Sequence, residues 1–498
     1  MSLKKNVIAN YLGNGWAAIM GLAFIPMYIK YLGMEAYGLI GFYAMLQACL
    51  GLVDAGMTPT LSREMSRFTG GAHSSQSIRD LLRSLEIIAL AITSTYALTV
   101  WLSARWLATS WLKVENLPIE TVVQAFSIMG LVTAMRFMEG LYRGAIIGLQ
   151  KQVLFNLVNA GIATLRSLGA VLILAYYSPT IYVYFIWQAV VSFTAVLVFS
   201  TITYRNLLPA KRTGKFSKTE LVKVWRFAAG IFATTLLVLL LTQIDKMLLS
   251  KLLSLEAFGQ YNLAATVANS LLILVGPITQ AHYPKLTEMQ SSGDFEQTRK
   301  IFHRGSQLVS VIVGTASCLI FCFGERLIVI WTGNEELGSN IAYLLKIMTL
   351  GTMFNGFMTM PYMLQLAHGW SSFAAKVNLI AVILLVPAIL LVIPIFGPIG
   401  AAWVWVILNA SYVFIASHFM FKVIFTKEKS KWFVDDLLKP FAAAAAVIVL
   451  FWTLKPVSSH VSFDIVFFAA AGGCATLVSA IASNELRPFI PGFKIRLA

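Results

Sequence analysis

Long apolar runs, each close to twenty residues and nearly free of charge, recur along this chain from one end to the other. Hydrocarbon about 30 Å thick is crossed by roughly 20 apolar residues in helical form, whereas a barrel strand needs only about 9–11 alternating ones. The runs therefore predict membrane-spanning α-helices. Fourteen are expected, at 6–30, 37–61, 85–104, 119–142, 153–176, 181–202, 227–250, 258–283, 307–331, 341–366, 374–395, 399–421, 437–454 and 463–483. Composition agrees: 58% of residues are hydrophobic and 12% charged, against roughly 25% charged in a soluble domain. No stretch is polar enough to form a soluble domain. The first run is long and lacks a small-residue cleavage site, so it is expected to be retained rather than cleaved as a signal peptide.

The formal charge of +16 raises the question of a nucleic-acid partner, and its distribution argues against one. With the N-terminus placed inside, the inner segments carry 28 Lys and Arg and the outer segments 6. Cytoplasmic loops are enriched in this way, so both termini are expected in the cytoplasm, with the basic surplus facing anionic lipid.

The longest inner connection, 204–226, is a basic stretch around Lys211 and Arg212, halfway along the chain. A weak internal repeat supports a division there. At an offset of 221, Leu32, Glu35, Ala36 and Gly38 match Leu253, Glu256, Ala257 and Gly259, while Asn159 and Asn378 correspond at an offset of 219. Six helices per copy is an even number, so the copies run parallel. The expected organisation is an N-terminal six-helix lobe (1–203), a basic linker (204–226), a C-terminal six-helix lobe (227–424) and a basic loop with two added helices and a tail (425–498).

A charge in hydrocarbon costs about 3 kcal/mol or more unless it is paired or wet, so ionisable residues within spans mark candidate sites. Arg166 lies near the middle of the fifth span between Leu165 and Leu168. It suits either an ion pair with Asp54 or Glu139, or an anion-binding cavity, since guanidinium binds phosphate oxygens in a fork. Arg136, Glu139 and Arg143 fall at i, i+3 and i+7 on one helical face, with an internal pair and a snorkelling Arg143 as the structural alternative. Gly140, Gly144 and Gly148 beside them suit close packing or bending. Asp245 and Lys246 point about 100° apart and cannot neutralise each other on one face. Asp245 suits a coupling proton or a structural pair equally. Lys346 is placed to snorkel outward.

His282, His303, His368 and His418 are isolated, and Cys49, Cys318, Cys322 and Cys474 all lie in apolar runs, so neither metal ligands nor disulfides are expected. Nucleotide loops and nucleophile elbows are absent. No cofactor and no catalytic residue is expected.

Several stretches together resemble the polysaccharide transporter family (Wzx-type flippases) of the multidrug/oligosaccharidyl-lipid/polysaccharide exporter superfamily. They are Asn10-Tyr11, Tyr31 to Gly38, Leu52 to Met57 with Arg63, Gly148 to Lys151 with Asn159, Gln243 to Lys246, Glu256 to Tyr261, Tyr283 to Leu286, and Phe396 to Ala402. The likeness runs from about residue 6 to 425, carried by order and spacing rather than by any single motif. It implies two six-helix lobes around a cavity that opens alternately to each side. It also implies a bacterial inner-membrane location and an undecaprenyl-pyrophosphate-linked oligosaccharide as cargo, destined for O-antigen, capsule or exopolysaccharide.

Arg166, Arg136 and Lys246 are then the candidate substrate-binding residues, and Asp245, Glu139 and Asp54 the candidate coupling or cavity charges. H⁺ and Na⁺ both remain open as coupling ion, and a glycan polymerase is the candidate protein partner. A cation-coupled drug exporter is the alternative, though it would favour a more acidic interior than this inventory provides. An enzyme acting on lipid-linked glycans would need outer loops longer than these.

Overall fold

The computed structural model describes residues 3–54, 56–209, 212–454 and 460–490. Lys211, Lys494 and Arg496 of the inner count and Lys455 of the outer count lie outside them, and for Lys4 and Lys5 only the backbone is described.

The described chain is helical nearly throughout, as hydrocarbon demands of a backbone whose N–H and C=O groups must all be paired internally. The helices in order are α1 (Leu3–Ala23), α2 (Ile25–Leu32), α3 (Met34–Val53), α4 (Met57–Thr69), α5 (Ser75–Trp106), α6 (Ile119–Gly148), α7 (Gln152–Tyr176), α8 (Ile181–Asn206) and α9 (Lys218–Leu252). They continue as α10 (Leu255–Ser291), α11 (Phe295–Thr332), α12 (Glu335–Phe357), α13 (Thr359–Ala367), α14 (Ser371–Ser411), α15 (Ser417–Val423), the single turn α16 (Lys429–Lys431), α17 (Lys439–Leu454) and α18 (Val461–Ala482). Side-chain caps mark where several begin. Ser74, Thr180, Ser217, Asp294 and Asn334 each accept the N–H three residues on, satisfying donors the helix leaves open.

Among the described residues twelve segments are long and apolar enough to cross a membrane, and the bent pair α3–α4 makes a thirteenth. The expected fourteenth lies inside the segment Ser371–Val423, whose 53 residues would extend about 80 Å as one helix, far beyond the hydrocarbon. It breaks at Gly397, where φ is 57° and ψ is −141°. A backbone at positive φ favours a residue without Cβ, and Pro398 removes the next N–H. The break falls between the spans expected at 374–395 and 399–421. The second expected span, 37–61, is not one straight helix. Its halves meet at 56°, with Gly56 in the left-handed region between them.

The chain divides into two compact units, Met1–Gly259 and Gln260–Ala498. The boundary differs from the one the repeat suggested, because α9 packs on α3, α4 and α5 of the first unit. The connection between α8 and α9 is also shorter than expected, since both helices run past the apolar stretch. What remains of it lies along the start of α5. Arg212 pairs with Asp80 at 3.2 Å, the Lys215 N–H donates to Asp80 at 2.8 Å and the Ser217 N–H to Ser84 Oγ at 2.8 Å.

At the opposite end of α5, the loop before α6 is held by one acid. Glu35, 7% exposed, accepts the N–H groups of Glu115, Asn116 and Leu117 at 2.7–3.2 Å. The same loop clasps the α9–α10 turn through Lys113 Nζ on the Leu252 carbonyl at 2.7 Å and the Leu255 N–H on the Lys113 carbonyl at 2.9 Å. The repeat glycines meet here. A Cβ on Gly38 would lie 2.1 Å from the Leu255 carbonyl, and one on Gly259 would lie 3.1 Å from Gly38 N.

In the second unit α11 is central, packing on α12, α17 and α18. The last two helices form a hairpin against it around Cys318, Phe323, Ala444, Ile448, Phe468 and Ala471. Large apolar side chains elsewhere point outward, among them Leu384, Leu391, Ile395 and Phe396, as a lipid-facing surface requires. The four cysteines are unpaired. Cys318 is buried, but Cys474 is exposed rather than buried as its apolar run suggested.

Candidate functional site

Three helices of the first unit build the main charged cluster. α6 places Arg136, Glu139 and Arg143 on one face, α7 brings Arg166 and α8 brings Ser192. Glu139 is 1% exposed, and all three guanidinium groups converge on it. Arg166 Nη2 donates to Glu139 Oε2 at 3.0 Å and lies 3.4 Å from Ser192 Oγ. Arg136 Nη1 stands 3.6 Å from the same oxygen, and Arg143 Nη1 3.7 Å from Oε1. One negative charge thus faces three positive ones, leaving a local surplus of two.

The surroundings hold this arrangement in place. The Trp187 indole donates to the Leu165 carbonyl at 3.0 Å and the Gln188 amide to the Arg166 carbonyl at 3.4 Å, fixing α7 against α8. Arg143 lies 5.2 Å above the Phe155 ring, a cation–π contact that orients it. The glycine stripe contributes at two of its three positions: Gly144 lets α6 approach Thr58 of α4, and Gly148 lets it approach Ser62 and Met65, while Gly140 faces open space.

A second buried acid, Glu86 of α5, stands against Tyr142, one turn along α6 from Glu139. Glu86 accepts the hydroxyls of Tyr142 and Tyr204 at 2.9 and 2.8 Å and pairs with Arg83 at 3.0 Å. These residues line an open cavity of about 480 Å³ with Ser200, Thr201 and Arg205. A third acid, Glu64, pairs with Arg63, Arg67 and His73 at 3.4, 3.0 and 2.6 Å. Buried acids held by bases or tyrosine hydroxyls therefore recur in the first unit. Sequence inspection found only the first, because the bases around Glu64 and Glu86 look like ordinary loop charges.

Of the two partners proposed for Arg166, Glu139 is the one observed. Asp54 caps α4 instead, accepting the Thr58 N–H at 3.1 Å and the Thr58 hydroxyl at 2.7 Å. Asp245 and Lys246 are half-buried on α9, and Asp245 makes interactions of its own. Lys346 lies 5.9 Å from the Phe321 ring centre. Among the described residues no His, Cys, Asp and Glu side chains are grouped to hold a metal ion. The histidine considered isolated, His303, is buried against Asp436 and Glu428. Its partners are 133 and 125 residues away in sequence, so no spacing pattern announces them.

This geometry can be set beside known proteins. Residues 3–290 match the family profile described as polysaccharide biosynthesis protein. A Shigella flexneri protein described as an O-antigen transporter is 20% identical over 417 residues, covering 82% of this chain and 96% of that one. Among solved structures, the lipid II flippase MurJ in an inward closed conformation superposes with a TM-score of 0.69 at 11% identity, covering 96% of this chain and 98% of its own. An inward-facing multidrug resistance MATE family transporter gives 0.63 at 11% identity, covering 89% and 96%. The profile spans more than half of the sequence, and the structural likeness extends over both units. The chain belongs to the polysaccharide biosynthesis protein family, the polysaccharide transporters whose motifs its sequence carries, and is a polytopic membrane transporter rather than an enzyme.

Proposed function

We propose that the protein flips an undecaprenyl-pyrophosphate-linked oligosaccharide across the bacterial inner membrane by alternating access. The observation that carries this reading is the surplus of two positive charges around Glu139. Such cargo has a glycan that cannot enter hydrocarbon, a pyrophosphate with at least two negative charges, and a polyprenyl tail that can remain in lipid. The transporter then has only to offer the polar part a wet, basic path. Arg166 spends one N–H on Glu139 and one toward Ser192, which sets the plane of its fork while leaving further donors for phosphate oxygens. Arg136 and Arg143, more loosely held, supply the rest of the field.

In this reading Glu139 keeps the arginines together between turnovers, when no anion is present to offset their repulsion. Lys246 would extend the basic path and Asp245 would carry the coupling ion. The two six-helix lobes that the repeat suggests would be the moving parts. The lysine and arginine asymmetry supports both termini being in the cytoplasm. A drug exporter carrying organic cations, the alternative on this fold, is disfavoured by the same surplus.

The test is reconstitution into vesicles with a fluorescent lipid-linked oligosaccharide, measuring exposure of the label across the bilayer. Arg166→Ala, inserted normally, is expected to slow flipping about tenfold or more, as loss of about 1.4 kcal/mol of binding at the rate-limiting state would. Full-rate flipping by that variant would overturn the basic-path reading. Export of a cationic dye with no flipping would replace it with the exporter.

A further inference from the structure

Within the second unit, the start of α11 meets the segment leading into the C-terminal hairpin at a buried cluster with no part in the reading above. His303 is 1% exposed and Asp436 wholly buried. Nδ1 of His303 lies 2.5 Å from Asp436 Oδ2, and Nε2 lies 3.1 Å from Glu428 Oε2. The Gln307 amide donates to the other Asp436 oxygen at 2.8 Å and accepts the Glu485 N–H at 2.8 Å. Arg299, 3.2 Å from Glu428, closes the outer side.

Counting hydrogens decides what this site contains. Each ring nitrogen faces a carboxylate oxygen at hydrogen-bond distance, so each contact needs a hydrogen between its atoms. A neutral imidazole carries one N–H and a carboxylate carries none. The pair of contacts therefore requires one proton beyond those of a neutral ring and two carboxylates. Without it, the lone pair of a buried ring would face a carboxylate at 3.1 Å with little water to screen them. The direct nitrogen–oxygen contacts also leave no room for a metal ion between the ligands.

We propose that His303, Asp436 and Glu428 form a proton-binding site that latches the C-terminal hairpin to α11. Asp436 sits in the π-helical turn Trp432–Leu438 that opens the hairpin, and Ser310 Oγ donates to the Leu437 carbonyl beside it at 3.2 Å. The far end of the hairpin is fastened separately, by Arg326 Nε on Asp464 at 2.6 Å. Proton loss therefore releases the inner fastening and leaves the outer one.

Other charges near the site are engaged elsewhere or act only at a distance. On α11, Lys300 pairs with Glu296 and Arg304 stacks on Phe489 at 3.9 Å. From the hairpin side, Lys431 acts on Asp436 through space, while Asp435 pairs with Lys439. Glu485 touches the cluster only through its backbone. His368 contacts the neighbouring Phe425 ring, and His282 lies against Gly305.

The docked state holds a proton that the released state gives up at high pH. Docking is therefore complete at low pH and weakens as pH rises, by up to about tenfold per pH unit for one proton. Hydrogen exchange on the full-length protein in nanodiscs, corrected for intrinsic exchange chemistry, reads this as protection of residues 432–438 against pH. The native protein should lose protection with rising pH there while α12 does not. Glu428→Gln is the decisive variant, because its amide can donate to a neutral Nε2 and removes the need for the extra proton. It should stay docked at alkaline pH with a flat profile, whereas His303→Gln should be less protected at every pH. A flat profile in the native protein, or the native slope persisting in Glu428→Gln, would overturn the proposal. The assay needs no substrate, so its outcome is independent of which cargo is flipped.

Discussion

Glu139 shows how much one side chain in a membrane protein can be asked to do. It is almost fully buried and faces three arginines that are 15–37% exposed, so the acid is the enclosed partner and the bases reach toward a more open edge. Removing the acid alone leaves repelling cations with no counter-charge, which costs more than the pair itself contributes. Glu139→Gln is expected to destabilise the protein by about 3 kcal/mol, read as a lower unfolding temperature in detergent. Residues at this scale were partly legible in the sequence. Arg136, Glu139 and Arg143 share a face by arithmetic alone, and for Arg166 the sequence left both an acid partner, Glu139 among them, and an anion-binding cavity open. The contact of Asp54 with Thr58 was not legible, because a cap and a cavity charge look alike in an apolar run. His303 was invisible because its partners come from a segment more than a hundred residues away.

At the scale of elements, breaks and clasps matter more than the helices between them. Gly397 separates two spans within an apolar stretch whose composition hardly changes, and the sequence signalled it through Phe396-Gly397-Pro398. The Glu35 clasp was only half legible. The repeat flagged Glu35 as one of the residues shared by both copies, but not that its carboxylate would gather three successive N–H groups. Hydrogen bonds to a charged acceptor contribute about 1.5–3 kcal/mol in such settings. Glu35→Ala should therefore loosen the loop after α5, seen as faster hydrogen exchange at residues 113–118 with little change in α6. The meeting of Gly38 with Gly259 gives the weak repeat a physical reading. The two matched positions lie against each other, and a Cβ at either would press on the facing backbone.

For the whole molecule, hydropathy was enough to give the class and an approximate helix count, because a bilayer leaves a backbone few alternatives. Packing was not legible to the same degree. The linker position and the repeat both put a boundary before α9, yet α9 packs with the first unit, since an apolar helix carries no mark of which neighbours it will choose. Orientation is open to direct measurement. In a cysteine-free background, Asn116→Cys should react with an impermeant thiol reagent in intact cells, and Thr213→Cys should react only after the cells are opened. The Glu139–Arg166 pair also bears on how the chain is made. A helix with an arginine near its centre partitions poorly into lipid on its own, at a cost of about 2.5–3.5 kcal/mol. Glu139 leaves the ribosome 27 residues ahead of Arg166, so the counter-charge is already at the translocon when α7 arrives. The two helices are thereby suited to enter the bilayer as a pair, and Glu139→Gln should lower the fraction of chains in which α7 is integrated at all.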